Sequence, residues 1–234
     1  MIRGIFFDLD GTLISLRADG NSFREVAAAE LKRIGFRVDE IDHVSGRNYV
    51  QDLLDNARSQ VERGLVKTDF ERAKTSTFRK LDKLEMRWIK AAHVLPDVEE
   101  TLSRLKKPGN GALKVAVLTN SGGAATRFAM ETFKLRRHID ESFSRDDLPV
   151  MKPRPEGVRT VLDHFSLEKE EVLYVGDSRV DIMAAKAAGI KVASIPTGNY
   201  DLETLRKDKP DYTMESLLEL EDLVLGLDQP RRRS

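Results

Sequence analysis

Short apolar runs and amphipathic stretches take turns along this chain, and their order predicts its fold. "IRGIFFD" (2–8) is a continuous apolar run ended by charge, the pattern of a short strand buried on both faces. "LKVAVLTN" (113–120), "EVLYVGD" (171–177) and "KVASIP" (191–196) repeat that pattern with Val and Ile. Segments of helical spacing lie between and after them, at 98–107, 122–135, 155–165, 179–188 and 201–207. Strand–helix alternation predicts an α/β fold: a doubly wound, mainly parallel Rossmann-like sheet with helices on both faces, joined by right-handed crossovers. In such sheets ligands bind outside the carboxyl ends of the strands.

One block breaks the alternation. Residues 15–92 are highly charged and helically periodic, with helices expected at 21–35, 46–64 and 68–92. "FREVAAAELKRIG" sets Phe23, Val26, Ala27, Leu31 and Ile34 near one face and stops at Gly35, a C-cap residue. "VQDLLDNARSQVERG" repeats the device up to Gly64. The expected organisation is a catalytic core of 1–14 and 93–226, an α-helical cap of 15–92 inserted after the first strand and serving as a lid, and a frayed basic tail, 227–234.

Composition narrows the function. Lys+Arg and Asp+Glu both number 39, a balance that argues against a general nucleic-acid or membrane-surface binder. The chain has no cysteine, which removes disulfides, thiolate catalysis and Cys-ligated zinc. Neither a secretory leader pattern nor an apolar run of membrane-spanning length is present, so a soluble cytoplasmic protein is expected. The sequence leaves the oligomeric state open.

Candidate chemistry collects at the strand ends. Asp8 and Asp10 in "FFDLDGTL" would point to one side of an extended segment and repel unless a cation or a proton intervenes. Alone, the spacing reads as an Asp-x-Asp turn into Gly11. Asp177 and Asp181 in "VGDSRVDI" can both face the strand edge, or simply suit a helix N-terminus capped by Asp177 or Ser178 and closed at Gly189. Thr119 and Asn120 precede Ser121 and Gly122 at another helix start, which is an anion site or an ordinary cap. Lys152 precedes Pro153 and, alone, reads as a solvated lysine. Together these groups say more. Four acids on one edge destabilise the fold unless a cation joins them. Hard oxygen donors beside a phosphate-binding helix start suit Mg²⁺. The combination predicts Mg²⁺-assisted handling of a phosphoryl group.

Four motifs in order, "DLDGT" (8–12), "LTN" (118–120), "KP" (152–153) and "GDSRVD" (176–181), resemble those of the haloacid dehalogenase superfamily. The likeness is greatest to its phosphatases with a helical cap after the first motif, such as phosphoglycolate phosphatases. The resemblance implies that Asp8 forms an aspartyl-phosphate and that Asp10 acts first as acid, then as base. It places Mg²⁺ on the Asp8 carboxylate, the Asp10 carbonyl and Asp177, with Asp181 supporting through a water or Lys152. Thr119, Asn120 and Lys152 would bind phosphoryl oxygens, and Lys152 would also offset the charge on Asp8. The implied reaction is hydrolysis of a small phosphomonoester, phosphoglycolate first. Pyrophosphate or nucleotide hydrolysis, sugar-phosphate mutation and non-catalytic phosphate binding are the alternatives. "SGRNY" (45–49) is similar to the family's substrate-contacting cap loop, with Arg47 and Asn48 as candidate contacts. A plain helix entry capped by Ser45 is the other reading. Arg17 near the first hinge is a candidate of the same kind. "DGTLISL" and "LPDV" depart from common forms of the family's motifs and separate this chain from any one substrate.

Overall fold

The computed structural model describes residues 1–16, 20–38, 49–107 and 113–228. Its described residues form a six-stranded, all-parallel sheet: β1 Gly4–Phe7, β2 Lys114–Leu118, β3 Glu141–Phe143, β4 Val172–Gly176, β5 Lys191–Ser194 and β6 Tyr212–Thr213. The strand order is β3-β2-β1-β4-β5-β6, so the first strand lies in the middle. Ile5, Phe6 and Phe7 are wholly buried. Each such side chain contributes about 2–3 kcal/mol of transfer free energy.

Two compact units make up the chain, Met1–Leu16 with Ala92–Ser234, and Arg17–Ala91. The second unit contains α1 (Gly20–Ile34), α2 (Val50–Glu62) and α3 (Phe70–Trp88). Asp69 caps α3 by accepting from the Arg72 N–H at 2.8 Å. Phe23 meets Trp88 edge-on at 5.2 Å, fastening the start of α1 to the end of α3.

The sheet unit carries α4 (Val98–Leu105), α5 (Gly123–Thr132), α6 (Glu156–Phe165), α7 (Arg179–Ala188), α8 (Leu202–Lys207) and α9 (Glu219–Asp228). Phe6, Ala116, Tyr174 and Val192 line one sheet face against Val158 and Val161 of α6 and Ile182 and Ala185 of α7. Helix α7 starts at Ser178, whose N–H donates to Asp181 Oδ2 at 3.1 Å, and stops at Gly189 with φ +81°. The excursion to the second unit leaves from a closed point in the first. Ile14 and Val94 form an antiparallel bridge, the Ser15 N–H donates to the His93 carbonyl at 2.8 Å, and the Leu95 N–H to the Leu13 carbonyl at 3.0 Å.

The elements expected from the apolar runs form within a few residues of their expected bounds. The sequence pattern did not announce β3, β6 or α9. β3 and β6 are three and two residues long, without buried apolar runs, and owe their pairing to the neighbouring strands. In α9 the buried side chains Leu220 and Val224 stand four apart, and the half-buried or exposed Leu223, Leu225 and Leu227 blur the stripe.

Candidate active site

Strand register brings the polar strand ends to one edge. Phe7 pairs with Val117 and with Val175, so Asp8, Thr119 and Asp177 each follow a strand that ends at that edge. The chain turns sharply after Asp8: Leu13 and Ile14 both donate to the Leu9 carbonyl, and Gly11 has φ +84°. Glycine is needed there twice over, because a Cβ would also lie 2.5 Å from Asp177 Oδ2.

That turn separates the two acids of the first motif. Asp8, Asp177 and Asp181 gather with carboxylate oxygens within 4.8 Å of one another, all three buried. Asp10 stands outside this group, and its Oδ2 accepts a hydrogen bond from Ser121 Oγ at 2.5 Å. The two-residue alternation of an extended strand does not carry through the bend at Leu9.

Lys152 ties the acids together. Its Nζ lies 2.6 Å from Asp8 Oδ1, 2.6 Å from Asp181 Oδ1, 3.0 Å from the Leu118 carbonyl and 3.0 Å from the Tyr174 hydroxyl. Burial pulls the pKa of this ammonium down, but the Asp181 and Asp8 carboxylates outweigh that and hold it well above the ordinary lysine value. Burial pushes the Asp8 carboxyl up to about 6, with Lys152 pulling it down and Asp181 pushing it further up. Asp177 is raised well above the carboxylate range by burial, then by the charges of Asp8 and Asp181. Asp181 uses both oxygens: Oδ1 faces Lys152 and Tyr174, and Oδ2 accepts from the Ser178 N–H and hydroxyl.

Asn120 fixes the lysine's backbone. Its Nδ2 donates to the Lys152 carbonyl and its Oδ1 accepts from the Lys152 N–H, both at 2.9 Å. The Asn120 side chain is therefore a clamp on Lys152. Thr119 Oγ1 accepts from the Ser121 N–H at 3.0 Å, which leaves its hydroxyl proton to donate elsewhere. At the start of α5, the Gly123 N–H donates to Asp146 at 2.8 Å. Thus part of the expected anion site at this helix start is already satisfied. Arg47, Asn48, Ser45 and Arg17 lie outside the described residues.

Sequence reasoning passed over several contributors. Tyr174 is buried beside Lys152, and its phenol pKa is raised well above the ordinary value, chiefly by burial. A lone hydroxyl in the apolar strand "VLYVG" was the available signal. Thr12 Oγ1 donates to Asp177 Oδ1 at 3.3 Å. Gly198 backs onto the same carboxylate so closely that a Cβ would fall 1.7 Å from Oδ2, a tertiary approach no local pattern reveals.

This donor set fits a hard divalent cation. Three buried carboxylates face one ammonium, so negative charge is in excess where water is scarce. Asp177, raised by burial and then by its acidic neighbours, is a group whose charged form a cation would favour.

Comparison with known proteins agrees with the geometry. A phosphoglycolate phosphatase of Vibrio vulnificus is 29% identical over 231 residues, covering 96% of each chain. A protein of Caldanaerobacter subterraneus, provisionally named a pyrophosphatase, is 28% identical over 233 residues, covering 97% of each. A crystal structure from Haemophilus somnus, described as a predicted phosphoglycolate phosphatase, matches with a TM-score of 0.61 at 24% identity, over 95% of this chain and 98% of that one. The family model for haloacid dehalogenase-like hydrolases matches residues 5–195, most of the chain and every strand-end acid described above. The chain therefore belongs to the haloacid dehalogenase-like hydrolase family and is a phosphatase-type enzyme within it.

Proposed function

We propose that this enzyme is a Mg²⁺-dependent phosphatase of small phosphomonoesters that works through an aspartyl-phosphate on Asp8. The observation that carries this reading is the Lys152 ammonium, 2.6 Å from Asp8 Oδ1, beside the clustered carboxylates. With its pKa at about 6, Asp8 is ionised in most molecules at pH 7, as a nucleophile must be.

An Asp8 oxygen bonds to phosphorus as the bond from phosphorus to the leaving oxygen breaks, and Asp10 gives that oxygen its proton. A water then attacks the phosphorus, Asp10 takes the water's proton, and phosphate departs from Asp8. Lys152, the Thr119 hydroxyl and the Asn120 main chain hold the phosphoryl oxygens. The Asp8 carboxylate, the Asp10 carbonyl and Asp177 would hold Mg²⁺, whose charge offsets that of the phosphoryl group, with Asp181 in support. The helical unit Arg17–Ala91 serves as the cap that selects the substrate.

Phosphoglycolate leads the substrate candidates because the Vibrio vulnificus relative bears that name. Pyrophosphate is second, favoured by the name of the Caldanaerobacter relative. Phosphate release by purified protein with Mg²⁺, from p-nitrophenyl phosphate and a panel of phosphorylated metabolites, tests the proposal. Turnover with free phosphate as product is expected. Phosphoryl transfer between positions of a sugar phosphate without release would make it a mutase, and no turnover on any compound would overturn the reading.

A further inference from the structure

We infer that Ser121 is a positioning residue for Asp10, aiming its carboxyl at the leaving oxygen; this rests on the phosphatase reading above. Ser121 Oγ lies 2.5 Å from Asp10 Oδ2, a short hydrogen bond between residues 111 positions apart. A hydroxyl that donates to Oδ2 can do so whether Asp10 is a carboxylate or a carboxylic acid, because the carbonyl oxygen of the acid also accepts. The transferable proton then resides on Oδ1 in the acid form. One oxygen is anchored and the other exchanges the proton, which suits a group that must act as acid in one half-reaction and base in the next.

The backbone that carries this hydroxyl is fixed at both its N–H and its carbonyl. Ser121 is buried, at 4% exposure. Its N–H donates to Thr119 Oγ1 at 3.0 Å, and its carbonyl accepts from the Arg145 N–H at 3.0 Å. The Arg145 guanidinium, also buried, donates from Nη1 to the Asn120 carbonyl at 3.1 Å. These backbone clamps fix Cα and Cβ of residue 121 independently of its hydroxyl. The same short loop therefore sets Thr119, the Lys152 clamp Asn120 and the orientation of Asp10. Small errors in such an angle are costly, because proton transfer needs the donor oxygen within hydrogen-bond reach of the leaving oxygen.

In the first chemical step an Asp8 oxygen–phosphorus bond forms, the bond from phosphorus to the leaving oxygen breaks, and the proton passes from Asp10 Oδ1 to that oxygen. Alkoxide leaving groups need this proton; p-nitrophenolate, stable as an anion, hardly does. The parameter kcat/KM reports only steps up to leaving-group departure, so it isolates the acid role of Asp10.

The test compares wild type, Ser121→Ala and Asp10→Ala on p-nitrophenyl phosphate and on the best alkyl phosphate found by screening. Ser121→Ala retains every backbone clamp, and a melting curve checks that it folds. Its kcat/KM is expected to fall about tenfold or more on the alkyl ester, through kcat, and to change little on the aryl ester. A merely structural role would lower both substrates alike, so an equal loss overturns the inference, as does no loss on either. Failure of the underlying reading looks different. Wild type that hydrolyses neither ester removes the phosphatase. Asp10→Ala without selective loss on the alkyl ester removes the acid, and the inference falls with it.

Discussion

Lys152 Nζ sits 2.6 Å from Asp8 Oδ1, a buried ion pair between residues 144 positions apart. The ammonium also holds Asp181 Oδ1 at the same distance, so a single cation compensates two buried carboxylates. Replacing Lys152 by Ala should cost about 3–5 kcal/mol of stability at pH 7.5, the range for orphaning a buried charge. The loss should shrink at pH 5, where a protonated Asp8 needs no counter-charge. Urea unfolding at the two pH values checks both statements, and turnover should fall to background in either buffer.

Asp177 should behave in the opposite sense. Its carboxyl is raised in the folded protein by burial and by Asp8 and Asp181, so the folded state binds this proton more tightly than the unfolded chain. Stability from this group is therefore greatest at low pH and declines as pH rises from the unfolded value through the folded one. Asp177→Asn removes that penalty. It should stabilise the metal-free protein at pH 7.5 while abolishing activity. Wild type should gain about 2.7 kcal/mol from Mg²⁺ at a hundred times its Kd, and the variant much less. Melting curves with EDTA and with Mg²⁺ measure all four states.

Asp8→Asn should reduce turnover to background without loss of fold. An amide keeps the shape and can still accept from Lys152, but it cannot attack phosphorus. Acid-quenched wild type should carry an acid-stable, base-labile phosphoryl group during turnover, and the variant none. Residual activity in Asp8→Asn would show that the covalent route is wrong.

The sequence made the central strands legible because "IFF", "KVAVL" and "VLYVG" are buried on both faces and must be continuously apolar. The acids at their ends were legible for the same reason, as charges that interrupt buried runs. What stayed hidden depends on tertiary approach. Gly198 touches Asp177, Tyr174 reaches Lys152, and Asn120 clamps that lysine's backbone, each across a sequence gap that local spacing does not encode. The direction of the Asp10 side chain was hidden too, because the bend at Leu9 cancels the strand periodicity used to read it.

Replacing residues 17–91 by a short Gly/Ser linker should leave a folded core. The Ile14–Val94 bridge and the Ser15–His93 hydrogen bond hold both ends of the excised segment together within the sheet unit. Neighbouring strands lie roughly 5 Å apart, so three or four flexible residues close the gap. The trimmed protein should retain measurable hydrolysis of p-nitrophenyl phosphate and lose its ranking among metabolites. Undiminished discrimination would refute the cap assignment.

Glu30 should act as an internal fastener of the helical unit. Its carboxylate accepts from Arg33 at 2.6 and 2.8 Å on its own helix and from Ser76 of α3 at 2.5 Å. The Arg33 hydrogen bonds chiefly, and Ser76 in addition, outweigh burial and hold its pKa at about 2, below the ordinary 4.5. A depressed carboxyl stabilises the fold fully above its unfolded pKa, and that contribution is lost as pH falls from about 4.5 toward 2. Arg33 is 65% exposed, so water screens the pair and the full shift does not convert to stability. A net worth of about 1–2 kcal/mol at pH 7 follows, consistent with a charge-assisted pair joined by a half-buried hydroxyl. Glu30→Gln should therefore lower the stability of the helical unit by that amount at pH 7, and the gap to wild type should narrow steadily below pH 4.5. Turnover of p-nitrophenyl phosphate should survive at temperatures below melting, because no step of the chemistry uses this carboxylate. A gap that widened on acidification would reverse the sign and assign the stabilisation to some other group.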